Sequence, residues 1–186
     1  MRFEDGNGAD EWPNDMTIRV SDGANLLDLL WLRHMAVGNA EPSLPRAALP
    51  GEPVPSDDHR LVGTWEKLWK ESLEHSRRLQ EIDPFAMMEN PDLWAAPDIG
   101  PFAAELGLDA GEGVRSWREG LAFYNAERSI VGDVRIAWQS GLRVIIELPL
   151  AGGYWRKLSP ATLLVSTVTR RDEAGYSETL RSFGRD

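Results

Sequence analysis

Two short β-branched runs, Arg143–Leu148 (Arg-Val-Ile-Ile-Glu-Leu) and Thr162–Val168 (Thr-Leu-Leu-Val-Ser-Thr-Val), stand in a chain whose other apolar patterns repeat at helical spacing. Runs of this length and composition, bounded by proline, have the character of buried strands. The segment between them carries Tyr154, Trp155 and Leu158 and is too long for a tight hairpin. It fits a short crossover helix, and a crossover is what parallel strands require. The expected architecture is therefore a helix-rich α+β fold, with five or six helices packed around a short parallel two-stranded sheet in the C-terminal part. Thr17–Val20 is the candidate for a third strand.

Helix signals occupy most of the rest. Ser21 or Asp22 caps a helix over 24–37 that Gly38 ends, and Leu26, Leu27, Leu29, Leu30, Trp31, Leu32 and Met35 make it apolar nearly all round. A second helix runs over 58–82 with Leu61, Val62, Trp65, Leu68, Trp69 and Leu79 on one stripe, and Ser72 and Ser76 in its middle leave room for a close neighbour. Pro101 and Gly107 bracket a short helix. Val114, Trp117, Leu121 and Tyr124 mark the next, and Val134, Ala137 and Trp138 mark one that Gly141 ends. A last helix starts at Asp172 and carries Tyr176, Leu180 and Phe183.

With 186 residues the chain is the size of one domain. Residues 1–16 read as an acidic flexible tail, and residues 17–186 as a single globular domain. Pro42, Pro45, Pro50, Pro53 and Pro55 deny helix and sheet their backbone donors, so 39–58 reads as an extended Pro-rich connection wrapped on the surface.

The chain has no cysteine, which closes off disulfides, thiolate metal sites and cysteine nucleophiles. Its first residues lack a secretory pattern and its longest apolar stretch is broken by Asp28, so the expected compartment is the cytoplasm and no membrane partner is expected. A net charge of −10 disfavours nucleic acid and anionic lipid alike. The charge is uneven: residues 1–112 hold 9 basic and 22 acidic side chains, residues 113–186 hold 11 and 8. Any anion affinity therefore belongs to the C-terminal part. Only three of the 20 basic residues are lysine (Lys67, Lys70, Lys157), a bias of GC-rich bacterial genomes.

The sharpest candidate for chemistry is Pro149–Lys157, where Gly152 and Gly153 join a strand to the expected crossover helix. Free N–H groups at a helix start attract anions, and glycine lets a phosphate approach the backbone. Parallel strands would bring Ser166, Thr167, Arg170 and Arg171 to the same crevice as Arg156, making an anion pocket at the carboxyl ends of the strands. Against this, a glycine pair that merely turns the chain, with surface arginines, explains the same residues.

The histidines do not cluster. His34 lies on an apolar helix face and reads as a core residue, and His59 as a solvated helix start. Glu71 and His75 supply two ligands where catalytic zinc takes three, so neither metal nor cofactor is expected. The carboxylate pairs Asp57–Asp58 and Glu71–Glu74 carry no mark of a special environment. Most tryptophans fit helical core stripes; Trp155 stays open, and Trp94 and Trp12 are candidate partner contacts, with docking on the protein's own core the other reading of Trp12. The functional expectation is a non-catalytic bacterial interaction protein, of regulatory, adaptor or immunity-like kind, acting through a protein partner. The alternative is a small enzyme or ligand-binding protein built on the anion pocket.

Overall fold

The structure is a computed structural model, and it describes residues 12–13, 15–23, 25–38, 40–48, 52, 58–79, 95–111, 114–115 and 125–185. It divides into two compact units, Met1–Asp22 with Phe123–Asp186, and Gly23–Ala122. The helix-rich α+β class holds, with six α-helices whose bounds lie among the described residues.

The first unit is built on a four-stranded sheet, larger than the expected pair. β1 (Arg19–Ser21), β2 (Val144–Leu148), β3 (Trp155–Ser159) and β4 (Thr162–Ser166) lie in the order β1-β2-β4-β3. β2 and β4 are parallel, in register from Val144↔Thr162 to Leu148↔Ser166, and β1 joins β2 in parallel where the N-terminal strand was anticipated. The expected crossover helix is replaced by β3, antiparallel to β4 across the short Pro160–Ala161 turn. The physical reason is that this segment, lying beside the edge of β4 that β2 leaves open, gains ladder bonds there that an isolated five-residue helix does not.

On one face of the sheet Ile145, Leu163 and Val165 meet α4 (Val131–Gln139) and α6 (Glu173–Phe183), whose Val134, Ala137, Tyr176, Leu180 and Phe183 complete a buried core with Met16 and Ile18. Gly141 ends α4 with φ +112°, as its position anticipates. Between β4 and α6 a single helical turn, α5 (Thr167–Arg171), is capped by Ser166, whose Oγ accepts the Thr169 N–H at 3.0 Å. The second β-branched run therefore stops being a strand at Ser166, where a hydroxyl can hold a helix start.

In the second unit, α1 (Asn25–Leu32) passes into a π-helical turn, Arg33–Val37, closed by Gly38 at φ +76° donating its N–H to the Arg33 carbonyl. α2 (His59–Arg78) starts at Asp58, whose carboxylate accepts the Arg60 N–H at 2.8 Å. It packs on α1 through Trp65, with Ser72 buried at the middle of the stripe as read from the sequence. α3 (Gly100–Glu105) carries Pro101 in its first turn and ends before Gly107, the two signals read from the sequence. The start of the Pro-rich connection is less superficial than expected. Ala40 and Leu44 are buried, and the buried Arg33 guanidinium donates to the carbonyls of Leu44 and Pro45, each at 2.9 Å. The helix read over Val114–Tyr124 falls largely outside the described residues. No helix among those described is long and apolar enough to cross a membrane.

Candidate functional site

The carboxyl ends of β2 and β4 do lie side by side, but what gathers there is a buried ion cluster. Arg170 on α5 is 5% exposed, and its guanidinium grips Glu127 with two bonds, Nε–Oε1 at 2.9 Å and Nη2–Oε2 at 2.7 Å. Its Nη1 donates to Glu147 Oε2 on β2 at 2.6 Å, and the Tyr176 hydroxyl on α6 donates to Glu127 Oε1 at 2.8 Å. Burial alone would lower the arginine's pKa, but the bonds to Glu127 and the charges of Glu127 and Glu147 outweigh it and raise it above its ordinary value. Tyr176 is pushed well above the usual phenol range, first by burial and then by the Glu127 charge. The cluster thus joins β2, α5, α6 and the 3-10 turn Ala126–Arg128 before α4 with charge-assisted bonds.

Tyr176→Phe is expected to cost about 1.5–3 kcal/mol at neutral pH, the range for a hydrogen bond to a charged acceptor. Because the folded-state pKa is raised, the protonated hydroxyl stabilises the fold fully below the ordinary tyrosine value near pH 10, and that contribution is lost as pH rises toward the folded value. Urea titrations of both proteins should show a constant gap below about pH 10 that narrows above it. A gap independent of pH would show that Tyr176 titrates normally.

Of the six residues of the expected anion pocket, Gly153 and Ser166 do come close, both beside Tyr154 and Thr169, but the groups there are taken up by the fold. Arg170 is spent on the carboxylates, and Ser166, fully buried, on capping α5. Gly152 and Gly153 precede a strand, so there is no helix start to present N–H groups to an anion; Gly152 instead turns the chain at φ +126°. The Tyr154 N–H is taken by Thr169 Oγ1 at 2.9 Å and Ser166 Oγ at 3.2 Å. Arg156 and Arg171 are exposed. Other C-terminal cations are also engaged: Lys157 with the Phe183 carbonyl, Arg143 with the Trp138 carbonyl and ring, Arg181 with Asp133. The positive excess counted in the sequence does not converge.

Beside this cluster the structure forms a cleft of about 440 Å³ among β3, α5 and α6. Trp155, 40% exposed, and Val168, 46% exposed, line it with Gly153, Asp172 and Glu178. Its charged lining residues among those described are Asp172 and Glu178, both carboxylates. β3 is also the last strand of the sheet, with no fifth strand beside it among the described residues. The Ser166 N–H donates to the Tyr154 carbonyl at 2.8 Å, so Tyr154 faces β4. By the alternation of an antiparallel ladder, the backbone groups of Trp155 and Lys157 face away from it.

Trp12 is half-buried against the sheet core and donates its indole N–H to the Met16 carbonyl at 2.6 Å, the docking reading of this residue. Trp94 lies outside the described residues. His34 sits half-buried beside Trp31, and His59 is exposed at the start of α2. His75 is held below the ordinary histidine range by partial burial and by Arg78. Among the described residues no three potential ligands group to hold a metal.

The sequence gives no site role to Glu127, Glu147, Asp172 or Glu178, and marks Asp172 only as the start of the last helix. For Glu147 a signal existed: a carboxylate inside the run Val-Ile-Ile-Glu-Leu needs a buried partner. Glu127 and Glu178 have no local mark. No protein-family model, curated protein or solved structure matches this chain.

Proposed function

We propose that this is a non-catalytic interaction protein that receives an extended segment of a protein partner along the outer edge of β3. The observation that carries the reading is the terminal strand β3, whose outward backbone groups lie next to an exposed tryptophan at the mouth of a cleft. A strand edge supplies main-chain hydrogen bonds and an adjoining pocket supplies selectivity, the two parts of recognition by strand addition. The charged Arg156 and Lys157 and the irregular register between Lys157 and Ser159 guard the same edge against indiscriminate pairing. The buried cluster behind it holds the strands, α5 and α6 in place, which gives the edge a rigid backing.

The test is site-specific photo-crosslinking in the native host, with a benzophenone side chain at position 155 and a control at 136, where Ile136 is also exposed. The expected result is a discrete protein adduct from 155 alone. Lys157→Pro, which removes an outward N–H at an edge position that tolerates proline, should abolish it, and Lys157→Ala should not. Equal labelling from 155 and 136, or an adduct insensitive to Lys157→Pro, would sink the reading.

A further inference from the structure

We infer that the partner segment delivers a basic side chain, arginine in preference to lysine, into the cleft between β3, α5 and α6; this rests on the edge-binding reading above. The sequence tally points the other way, since the C-terminal part has more cations than anions. Position reverses the count. The cleft is lined by Asp172 and Glu178 together with the exposed indole of Trp155, and no basic residue among those described lines it.

Each part suits a guanidinium. An indole face attracts a cation through its quadrupole, and the planar guanidinium stacks on it while its edge donates to carboxylates. An ammonium group lacks that planar fork, hence the preference for arginine. Asp172 is set for this role by its place directly before α6, where the positive end of the helix favours a carboxylate. Gly175 clears the space for it: a Cβ there would come within 2.5 Å of Asp172 Oδ2. Further along the same flank of α6, Thr179 and Ser182 keep the cleft wall low, with Glu178 beside them. Trp155 also belongs to the strand that would pair with the incoming segment. A side chain on the near face of that segment is thereby carried toward the two carboxylates.

The test uses the full chain and a blocked, strand-forming peptide with one central arginine, compared with peptides carrying lysine, citrulline or glutamate at that place. Binding is followed by the indole N–H resonance of Trp155. The arginine peptide should shift that resonance and bind about 5-fold or more tighter than the citrulline peptide, the size of an exposed cation–π and carboxylate preference, with lysine between them and glutamate weakest. The advantage should shrink as salt rises from about 20 to 500 mM, as expected for solvent-exposed charges. It should vanish in D172N/E178Q, in which asparagine remains a suitable residue to start α6. If arginine and citrulline peptides shift Trp155 with equal affinity, the inference falls while strand addition stands. If no peptide moves the Trp155 resonance, both fall.

Discussion

Replacing Arg170 by methionine is expected to lower stability by about 3–5 kcal/mol, the cost of leaving a buried carboxylate without its counter-charge. The guanidinium side chain is 6% exposed and its partners Glu127 and Glu147 are 4% and 13% exposed. Without it, the described residues leave Glu127 the neutral Tyr176 hydroxyl as donor, which is far weaker compensation. For a chain of this length the loss corresponds to a melting-point drop of about 6–20 °C. Arg170→Lys should fall between, since an ammonium cannot reproduce the two-bond grip on Glu127. The cluster is distinguished from simple packing by a rescue: adding Glu127→Gln and Glu147→Gln to Arg170→Met removes the unpaired charges and should recover much of the loss. A single variant within about 1 kcal/mol of wild type in urea titrations would show that the carboxylates find water instead. Arg170→Ala for the same reason reports on folding rather than on ligand binding.

In the second unit, Trp65→Ala is expected to cost about 3–5 kcal/mol, as large aromatic truncations in cores do. Trp65 is fully buried and donates its indole N–H to the Leu29 carbonyl at 2.6 Å. Its ring stacks on Trp69 with centroids 5.1 Å apart and planes 13° from parallel. The Arg33 guanidinium, which also pins the Pro-rich connection, lies 5.6 Å from the same ring. Deletion of the indole thus opens a cavity and removes a ring contact and a cation–π contact together. Trp65→Phe retains a ring for Trp69 and should lose no more than about half as much. Chemical denaturation measures both, and a loss below about 1 kcal/mol for Trp65→Ala would mean that the site collapses around the vacancy.

What could be read from the sequence were features set by near neighbours in the chain. Asp58 marks the start of α2, Gly38 and Gly141 end helices where a positive φ is needed, and the helical stripes place Trp65, Val134 and Tyr176 in the interior. The parallel pairing of β2 and β4 was legible too, because a long intervening segment leaves few other connections. The identity of that segment was not. Trp155 and Leu158, three apart, suit a helix face, and only the open edge of β4 makes the segment a strand.

Arg170 shows the same boundary at the level of chemistry. In sequence it is one arginine beside another; in the fold it meets Glu147, 23 positions earlier, and Glu127, 43 earlier. The acidity of the cleft likewise arises from which side chains the sheet and two helices bring together, against the sign of the regional charge count. The sequence by itself determined α1, α2, α3, α4 and α6 and their apolar stripes, though not α5, because backbone preference and side-chain periodicity act within a few residues. Tertiary structure alone decided the third C-terminal strand, the partners of Arg170 and the charge of the cleft, because pairing and Coulomb energies depend on distances in space that chain separation does not encode.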